Sequence, residues 1–163
     1  MKGLFRNSRG LRDLAKYKFL FDTSCDHQLD FIAILEIRRD DFTTSDLNHF
    51  CGGRDFFWHW TSPRGQSGGI LLGINLQVLD IGNITLGDFH IKFNVRTKED
   101  GFEWVLIAAY GAAQDELKES FLTEMVQISS SEDKPTLLGG DFNIIRRPSE
   151  KIMIDTMIDG LFF

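Results

Sequence analysis

Cysteine and proline are scarce in this sequence, and positive charge does not predominate. The only two cysteines, Cys25 and Cys51, lack a CxxC spacing, so we expect reduced thiols and neither a disulfide nor a zinc framework. The 18 Lys and Arg residues are outnumbered by 24 Asp and Glu residues, for a formal net charge of −6. Tight, indiscriminate binding to nucleic acid needs a cationic excess that releases counterions. That class of protein is therefore excluded, and only a local basic patch is compatible with the composition.

Long apolar runs are also missing. The longest, residues 104–110, is far shorter than the roughly 20 residues of a transmembrane helix. Residues 1–13 are polar where a secretory signal would have its apolar core. We therefore predict an intracellular protein, of the nucleus or cytoplasm, without a membrane partner, and no stable protein partner can be inferred. With 42% hydrophobic and 12% aromatic residues and no repeat or Pro/Gly linker, residues 1–163 are expected to form a single domain.

What the sequence does contain is a distinctive stretch at 137–143, Leu-Leu-Gly-Gly-Asp-Phe-Asn. An apolar segment that runs into two glycines and an acid predicts a buried strand that ends at Asp141. In an extended chain Asp141 and Asn143 share one side and Phe142 takes the other. A carboxylate and a carboxamide together suit phosphate chemistry, through proton transfer, metal binding and donation to a phosphoryl oxygen. The alternative is that Asp141 only caps a turn.

Helical spacing of apolar residues is found in three segments. The first follows the polar turn that contains Asn7, so Asn7 is predicted to lie just before a helix. The second is expected to have Thr44 or Ser45 as its cap, and Met125 in the third is expected to fill the core. The predicted helices cover residues 11–21, 43–50 and 115–128.

Extended segments alternate with these helices. A turn is predicted at Gly82-Asn83 between two of them. The strict alternation in 89–95 predicts a strand with one wet face, which carries His90 and makes it a poor catalytic candidate. The predicted strands cover residues 29–36, 56–60, 68–74, 77–80, 89–95, 103–110 and 136–143.

Glu36 ends the most apolar of these strands. Burying an ionised carboxylate there is costly unless a metal ion or a basic partner compensates it. The alternative is an exposed strand end at which Glu36 pairs with Arg38 or Arg39. The residues alone leave both open.

Five short motifs in order carry a family resemblance. They are Asn-Ser-Arg-Gly-Leu at 7–11, Ile-Leu-Glu at 34–36, Ser-Gly-Gly-Ile at 67–70, Ala-Tyr-Gly at 109–111 and Gly-Gly-Asp-Phe-Asn at 139–143. Together they resemble the endonuclease/exonuclease/phosphatase (DNase I-like) family, and in particular the endonuclease domain of plant LINE-type non-LTR retrotransposons.

The resemblance implies an α/β fold, a four-layered sandwich of two mostly antiparallel sheets flanked by helices. It also implies Mg²⁺- or Mn²⁺-dependent hydrolysis of a phosphodiester, with DNA as the suspected substrate. Glu36 would be the direct metal ligand, with Asn7 as its companion. Tyr110 would contact the phosphate, Asp141 would orient or deprotonate the attacking water or protonate the leaving group, and Asn143 would hold the phosphoryl group.

The sequence also departs from the family pattern. The family's Ser-Asp-His motif, which supplies the catalytic base, does not occur in these 163 residues. We therefore expect a domain that is incomplete at its C-terminal end, with impaired or no turnover and an open sheet edge that favours association. The alternatives are a non-catalytic remnant or binding module, and a family member that acts on other phosphate esters. Positions where the family usually has Trp, Gln, Thr and Pro are here Arg6, Leu35, Ile37 and Ala112.

Overall fold

The structure, a computed structural model, describes residues 1–63 and 68–144, and the backbone alone of 161–162. Ser67, which the resemblance includes, lies outside the described residues. The elements in chain order are β1 (Gly3–Asn7), α1 (Leu14–His27), β2 (Phe31–Leu35), α2 (Thr44–Phe50), β3 (Phe56–Thr61), β4 (Ile70–Asn75), β5 (Leu79–Leu86), β6 (His90–Thr97), β7 (Glu103–Tyr110), α3 (Asp115–Ser130), β8 (Thr136–Asp141) and β9 (Leu161–Phe162).

The described strands form two sheets. One has the order β3-β4-β2-β1-β9 and the other β5-β6-β7-β8. Most neighbours are antiparallel, but β1 pairs with β2 and β7 pairs with β8 in parallel. Because parallel strands end at the same edge of a sheet, the carboxyl ends of β1 and β2 lie together in one sheet and those of β7 and β8 in the other.

Helices cover the outer faces of both sheets. One apolar cluster joins the two sheets, through residues such as Leu35 and Leu106. A second lies beneath α1 and α2, and a third beneath α3. The α/β sandwich with four layers that the motifs imply is therefore confirmed.

The central strands explain why the sandwich is stable. All five residues of β2 are buried, and they alternate between the layer shared by the sheets and the layer under the helices. Strand β7 divides its side chains in the same way. Burying a single Leu, Ile or Phe side chain contributes roughly 1.5–3 kcal/mol, so a strand that is apolar on both faces stabilises both layers at once.

The start of the chain differs from the prediction. Asn7 ends strand β1 and does not directly precede a helix; α1 begins at Leu14, with the Asp13 side chain accepting a hydrogen bond from the Ala15 N–H. Strand β1 is too short and too polar to show a period of two. It is extended because it pairs residue by residue with the buried β2.

Two local predictions were wrong in detail. The cap of α2 is Thr43, whose side chain accepts from the Asp46 N–H while the Asp46 carboxylate accepts from the Thr43 N–H. Gly82 and Asn83 do not form a turn, because β5 continues through them with an irregular register between Ile81 and Ile84. A glycine inside a strand is equally compatible with a bulge.

The solvent-exposed position predicted for His90 was also wrong. Its side chain is buried, and its Nδ1 lies 2.5 Å from Oε1 of Glu124. Glu124 also accepts hydrogen bonds from the N–H groups of Asp88 and Phe89. The polar face of β6 at this point lies under α3, so an alternating pattern identified two faces without identifying which face meets water.

Candidate active site

The four strand ends meet where the two sheets approach each other. Asn7 is in register with Leu35, one residue before Glu36, and Tyr110 is in register with Asp141. The Nδ2 of Asn7 donates a hydrogen bond of 2.7 Å to Oδ2 of Asp141. This bond joins the end of a strand in one sheet directly to the end of a strand in the other.

Asp141 has two roles in the structure. Its Oδ2 faces Asn7, and its Oδ1 accepts a hydrogen bond of 3.2 Å from the Asn143 N–H. It therefore shapes the turn after β8, as the alternative proposed, and also belongs to the cluster at the sheet edge. Phe142 lies on the opposite side, with its ring 6.0 Å from that of Phe121.

Asn143 closes the turn on the other side. Its φ of 50° is left-handed, a conformation that Asn tolerates better than most residues. The Nδ2 donates a bond of 2.9 Å to the carbonyl of Gly111. One N–H of the Asn143 amide therefore bonds within the protein, and the other is a second possible donor.

Glu36 is held in an unusual backbone conformation. Its φ is 54° and the residue is only 8% exposed. The Ser8 hydroxyl is within hydrogen-bonding distance, 3.0 Å, of the carbonyls of both Leu35 and Glu36. A Cβ added at Gly68 would lie 2.6 Å from the Cα of Glu36, so only glycine lets the following strand approach here. The glycine pair at 68–69 therefore serves close packing, as expected, around the candidate metal ligand.

The Glu36 carboxylate has two partners among the described residues. Its Oε1 pairs with the Nη2 of Arg38, and the carboxylate lies near the Tyr110 hydroxyl, whose pKa it helps to raise. The pairing with Arg38 was one of the alternatives, but the site is buried and is not an exposed strand end. The positive charge of Arg38 therefore offsets part of the free-energy cost of burying the ionised Glu36 carboxylate.

Tyr110 connects the two carboxylates. Burial first, and then the negative charges of Glu36 and Asp141, raise the pKa of Tyr110 to about 12. The hydroxyl therefore stays protonated and acts as a donor at any physiological pH. Both acids must lie close to it to have this effect, so the structure brings all five predicted residues, Asn7, Glu36, Tyr110, Asp141 and Asn143, to one corner.

Glycines allow the close approach at this corner. A Cβ at Gly139 would overlap the ring of Phe5 in the other sheet, and one at Gly140 would overlap the carbonyl oxygen of Ala109. The two glycines before Asp141 therefore set how near β8 comes to β1 and β7.

A lysine that the sequence did not single out stabilises the loop after Asn7. The Nζ of Lys16 donates to the carbonyls of Ser8, at 2.6 Å, and Gly10, at 2.9 Å. Both lie in the motif 7–11. No local pattern marks Lys16, because its partners are carbonyl groups whose positions depend on the folded loop.

A family model matches residues 5–153 of the chain, described as the Endonuclease/Exonuclease/phosphatase family. This chain belongs to that family. The match spans all five motifs that carried the resemblance, so the family predicted from the sequence is confirmed. No curated protein sequence matches the chain.

Solved structures with the same fold include nucleases and phosphatases. The catalytic domain of human Nocturnin matches with a TM-score of 0.69 at 14% identity, covering 89% of this chain and 64% of that domain. The endonuclease domain of TRAS1, a telomere-specific non-LTR retrotransposon, matches at 0.66 and 17%, covering 89% and 61%. A mannosyl-6-phosphatase of Bacteroides thetaiotaomicron matches at 0.63 and 15%, covering 88% and 66%. The chain thus spans just under two thirds of each, and the DNase I-like fold is shown.

Among the described residues, no helix has the length and apolarity that crossing a membrane requires. Cys25 and Cys51 are both free thiols, as expected.

Proposed function

We propose that this chain is a divalent-metal-dependent phosphodiesterase domain of nuclease type, with DNA as substrate. The observation that carries the proposal is the 2.7 Å hydrogen bond between Asn7 and Asp141. It joins Asp141 of one sheet to the sheet that holds Glu36. The two carboxylates therefore lie at one corner with the neutral donors Tyr110 and Asn143. Residues 1–163 act as one domain in this proposal.

The donor set suits a hard cation. The family generally depends on divalent metal ions, and Mg²⁺ is commonly held by one or two carboxylates together with water and phosphate oxygens. No group of three or more His, Cys, Asp and Glu converges among the described residues, so the residues fit a cation shared with substrate better than a closed protein cage. Glu36 would hold Mg²⁺ or Mn²⁺ directly, with Asn7 beside it. When bound, the cation would neutralise charge on the phosphoryl group.

The chain's own residues take distinct roles in this proposal. Tyr110, which is neutral at pH 7, donates a hydrogen bond to a phosphate oxygen. Asp141, held by Asn7, orients or deprotonates the attacking water or protonates the leaving oxygen. Asn143 uses its second amide N–H to hold a phosphoryl oxygen while Gly111 fixes the first.

DNA is favoured over a small phosphate ester by the local charge. Although the chain is acidic overall, Arg9 and Arg38 are exposed within two residues of Asn7 and Glu36, whereas the neighbouring cleft has arginines and aspartates in equal number. A strand of nucleic acid presents flanking phosphates to these two cations, whereas a small ester presents one. The phosphatases among the similar folds keep a phosphate monoester as the second candidate.

Turnover by this chain is expected to be low. General acid–base help is worth about 10²–10⁴-fold, and the resemblance assigns that help to a Ser-Asp-His motif that these 163 residues lack. The four described histidines lie elsewhere. His27 is in the last turn of α1, and the His49 ring lies 5.1 Å from that of Phe21. His59 contacts the Phe93 ring and His90 pairs with Glu124.

Nicking of supercoiled plasmid in Mg²⁺ tests the proposal. We expect no detectable nicking by the chain as given, and metal-dependent nicking once a family segment bearing Ser-Asp-His is appended at the C-terminus. Asp141→Ala in the extended protein should abolish it, and 4-nitrophenyl phosphate should remain uncleaved. Robust nicking by the unextended chain, lost on Asp141→Ala, would show that another residue acts as base. Extended protein that is inert on both substrates would favour a non-catalytic binding module.

A further inference from the structure

Arg38 is held at its backbone, and its guanidinium group is exposed. Its N–H donates a hydrogen bond of 2.8 Å to the carbonyl of Gly68, and its φ of 49° is left-handed. Its Cβ and Cδ lie over Gly10, 3.7 and 3.5 Å from where a Cβ on that glycine would stand. The side chain is nevertheless 64% exposed. The backbone of Arg38 therefore fixes where its exposed side chain starts, beside the corner.

In this structure the guanidinium pairs with Oε1 of Glu36. The Glu36 side chain is 11% exposed and lies near the Tyr110 hydroxyl. A hard cation that binds Glu36 needs a carboxylate oxygen and places a charge of +2 beside the charge of Arg38. The cation and the guanidinium therefore compete for the same carboxylate.

The exposed guanidinium has room for a second position. Arg38 lines an open cleft of about 460 Å³ that Glu36 does not line, together with Arg12, Arg39 and three aspartates, Asp40, Asp41 and Asp46. A guanidinium presents a planar fork of donors that matches two oxygens of one phosphate group. Once released from Glu36, Arg38 is near enough to the corner to meet an anionic substrate.

We infer that Arg38 is a two-position residue, which compensates the charge of Glu36 when no cation is bound and contacts a substrate phosphate when a cation takes its place. The inference rests on the proposed function, since it assumes that a divalent cation binds Glu36. It makes Arg38 a competitor of the metal and a contributor to substrate binding. A residue with a merely structural role would not move these two quantities in opposite directions.

Titration of the full chain with Mn²⁺, followed by the electron paramagnetic resonance of the free ion, tests the first half. Arg38→Gln should bind Mn²⁺ about twofold to fivefold more tightly than wild type, the range expected for removing one ion-pair partner. Arg38→Lys, which keeps the charge, should stay closer to wild type. Arg96→Gln is the matched control, because Arg96 also pairs with a carboxylate, that of Asp80, but lies opposite Glu103 at the end of β7 away from Tyr110; it should change the affinity less than about twofold.

Anisotropy of a fluorescent 12-nucleotide single-stranded DNA at saturating Mg²⁺ tests the second half. Arg38→Gln should weaken binding by about tenfold, the value of one charge-assisted hydrogen bond. Unchanged or weaker Mn²⁺ binding by Arg38→Gln, when wild type does bind, would overturn the competition and leave the proposed function intact. Unchanged oligonucleotide binding would overturn the phosphate contact. Absence of Mn²⁺ binding by wild type and every variant would overturn the proposed function and this inference with it.

Discussion

Substituting Gly139 by alanine tests how the two sheets are held at the distance that forms the corner. The added Cβ would lie 2.7 Å from Cε1 of Phe5 and nearer still to two other carbons of the same ring. Phe5 has little room to move, because its ring is only 7% exposed and meets the Phe31 ring edge-on at 5.4 Å. Overpacking of a filled core costs about 1–3 kcal/mol. For a chain of this length that corresponds to a fall in Tm of roughly 2–12 °C.

The second substitution, Phe5→Leu, turns this into a double-mutant cycle. Alone it removes an edge-to-face contact and some buried surface, and should cost about 1–2 kcal/mol. It also vacates the space that the new Cβ needs, so the double variant should be more stable than the sum of the single costs by about 1–2 kcal/mol. Urea unfolding followed by tryptophan fluorescence measures each free energy, with the slope in denaturant as a check on two-state behaviour.

Gly82→Ala provides the control for intrinsic propensity. Its Cβ would meet Asn94 at an ordinary 3.4 Å, so the change should be within about 0.5 kcal/mol. Costs for Gly139→Ala and Phe5→Leu that simply add, or a Gly139→Ala protein as stable as the control, would refute the reasoning that Gly139 sets the spacing between the sheets.

Three further outcomes follow from the same contacts. Between pH 10 and 12 the free energy of unfolding, measured in urea, should fall less in Tyr110→Phe than in wild type. The raised pKa of Tyr110 gives wild type a stabilisation that is lost as pH rises through about 12. Equal falls in the two proteins would contradict this. In Glu124→Gln the protein should be less stable by about 1.5–3 kcal/mol at pH 7. Its deficit should shrink as pH falls through the lowered pKa of Glu124, whose carboxylate accepts hydrogen bonds from His90, Phe89 and Asp88; a deficit independent of pH would speak against it. The purified chain should self-associate in light scattering through the outer edge of β8, which has one paired neighbour, β7, among the described residues; a clean monomer that melts cooperatively would count against an open edge.

Much of the architecture was accessible from the sequence because the central strands are apolar without interruption. Strand β2 and strand β7 are buried on both faces, and a continuous apolar run of this length is typical of a central strand. The helix α3 was similarly evident from Phe121, Met125 and Ile128, all of which are buried. The candidate site emerged from the same source, since polar residues at the ends of buried strands are conspicuous by contrast.

What the sequence did not predict depends on long-range contacts. Strand β1 exists because of its parallel partner 28 residues away, and nothing in its five residues has a period. His90 was placed in water because alternation does not show which side a later helix will cover. The pairing of Arg38 with Glu36 was only one of two alternatives, since its choice over Arg39 depends on a left-handed turn that the residues themselves do not favour.

The central claim is that Glu36, at the corner it shares with Asp141 of the other sheet, holds one divalent cation directly. Calorimetric titration of the purified chain with Mn²⁺ at pH 7 tests it most directly, with Glu99→Gln, an exposed acid in a turn, as the matched control. We predict saturable binding by wild type and by the control, weakened by at least about tenfold in Glu36→Gln and by less in Asp141→Asn, whose side chain supports Asn7 and is not the direct ligand. Binding that is equally strong in all four proteins would contradict the claim, because the cation would then be held elsewhere.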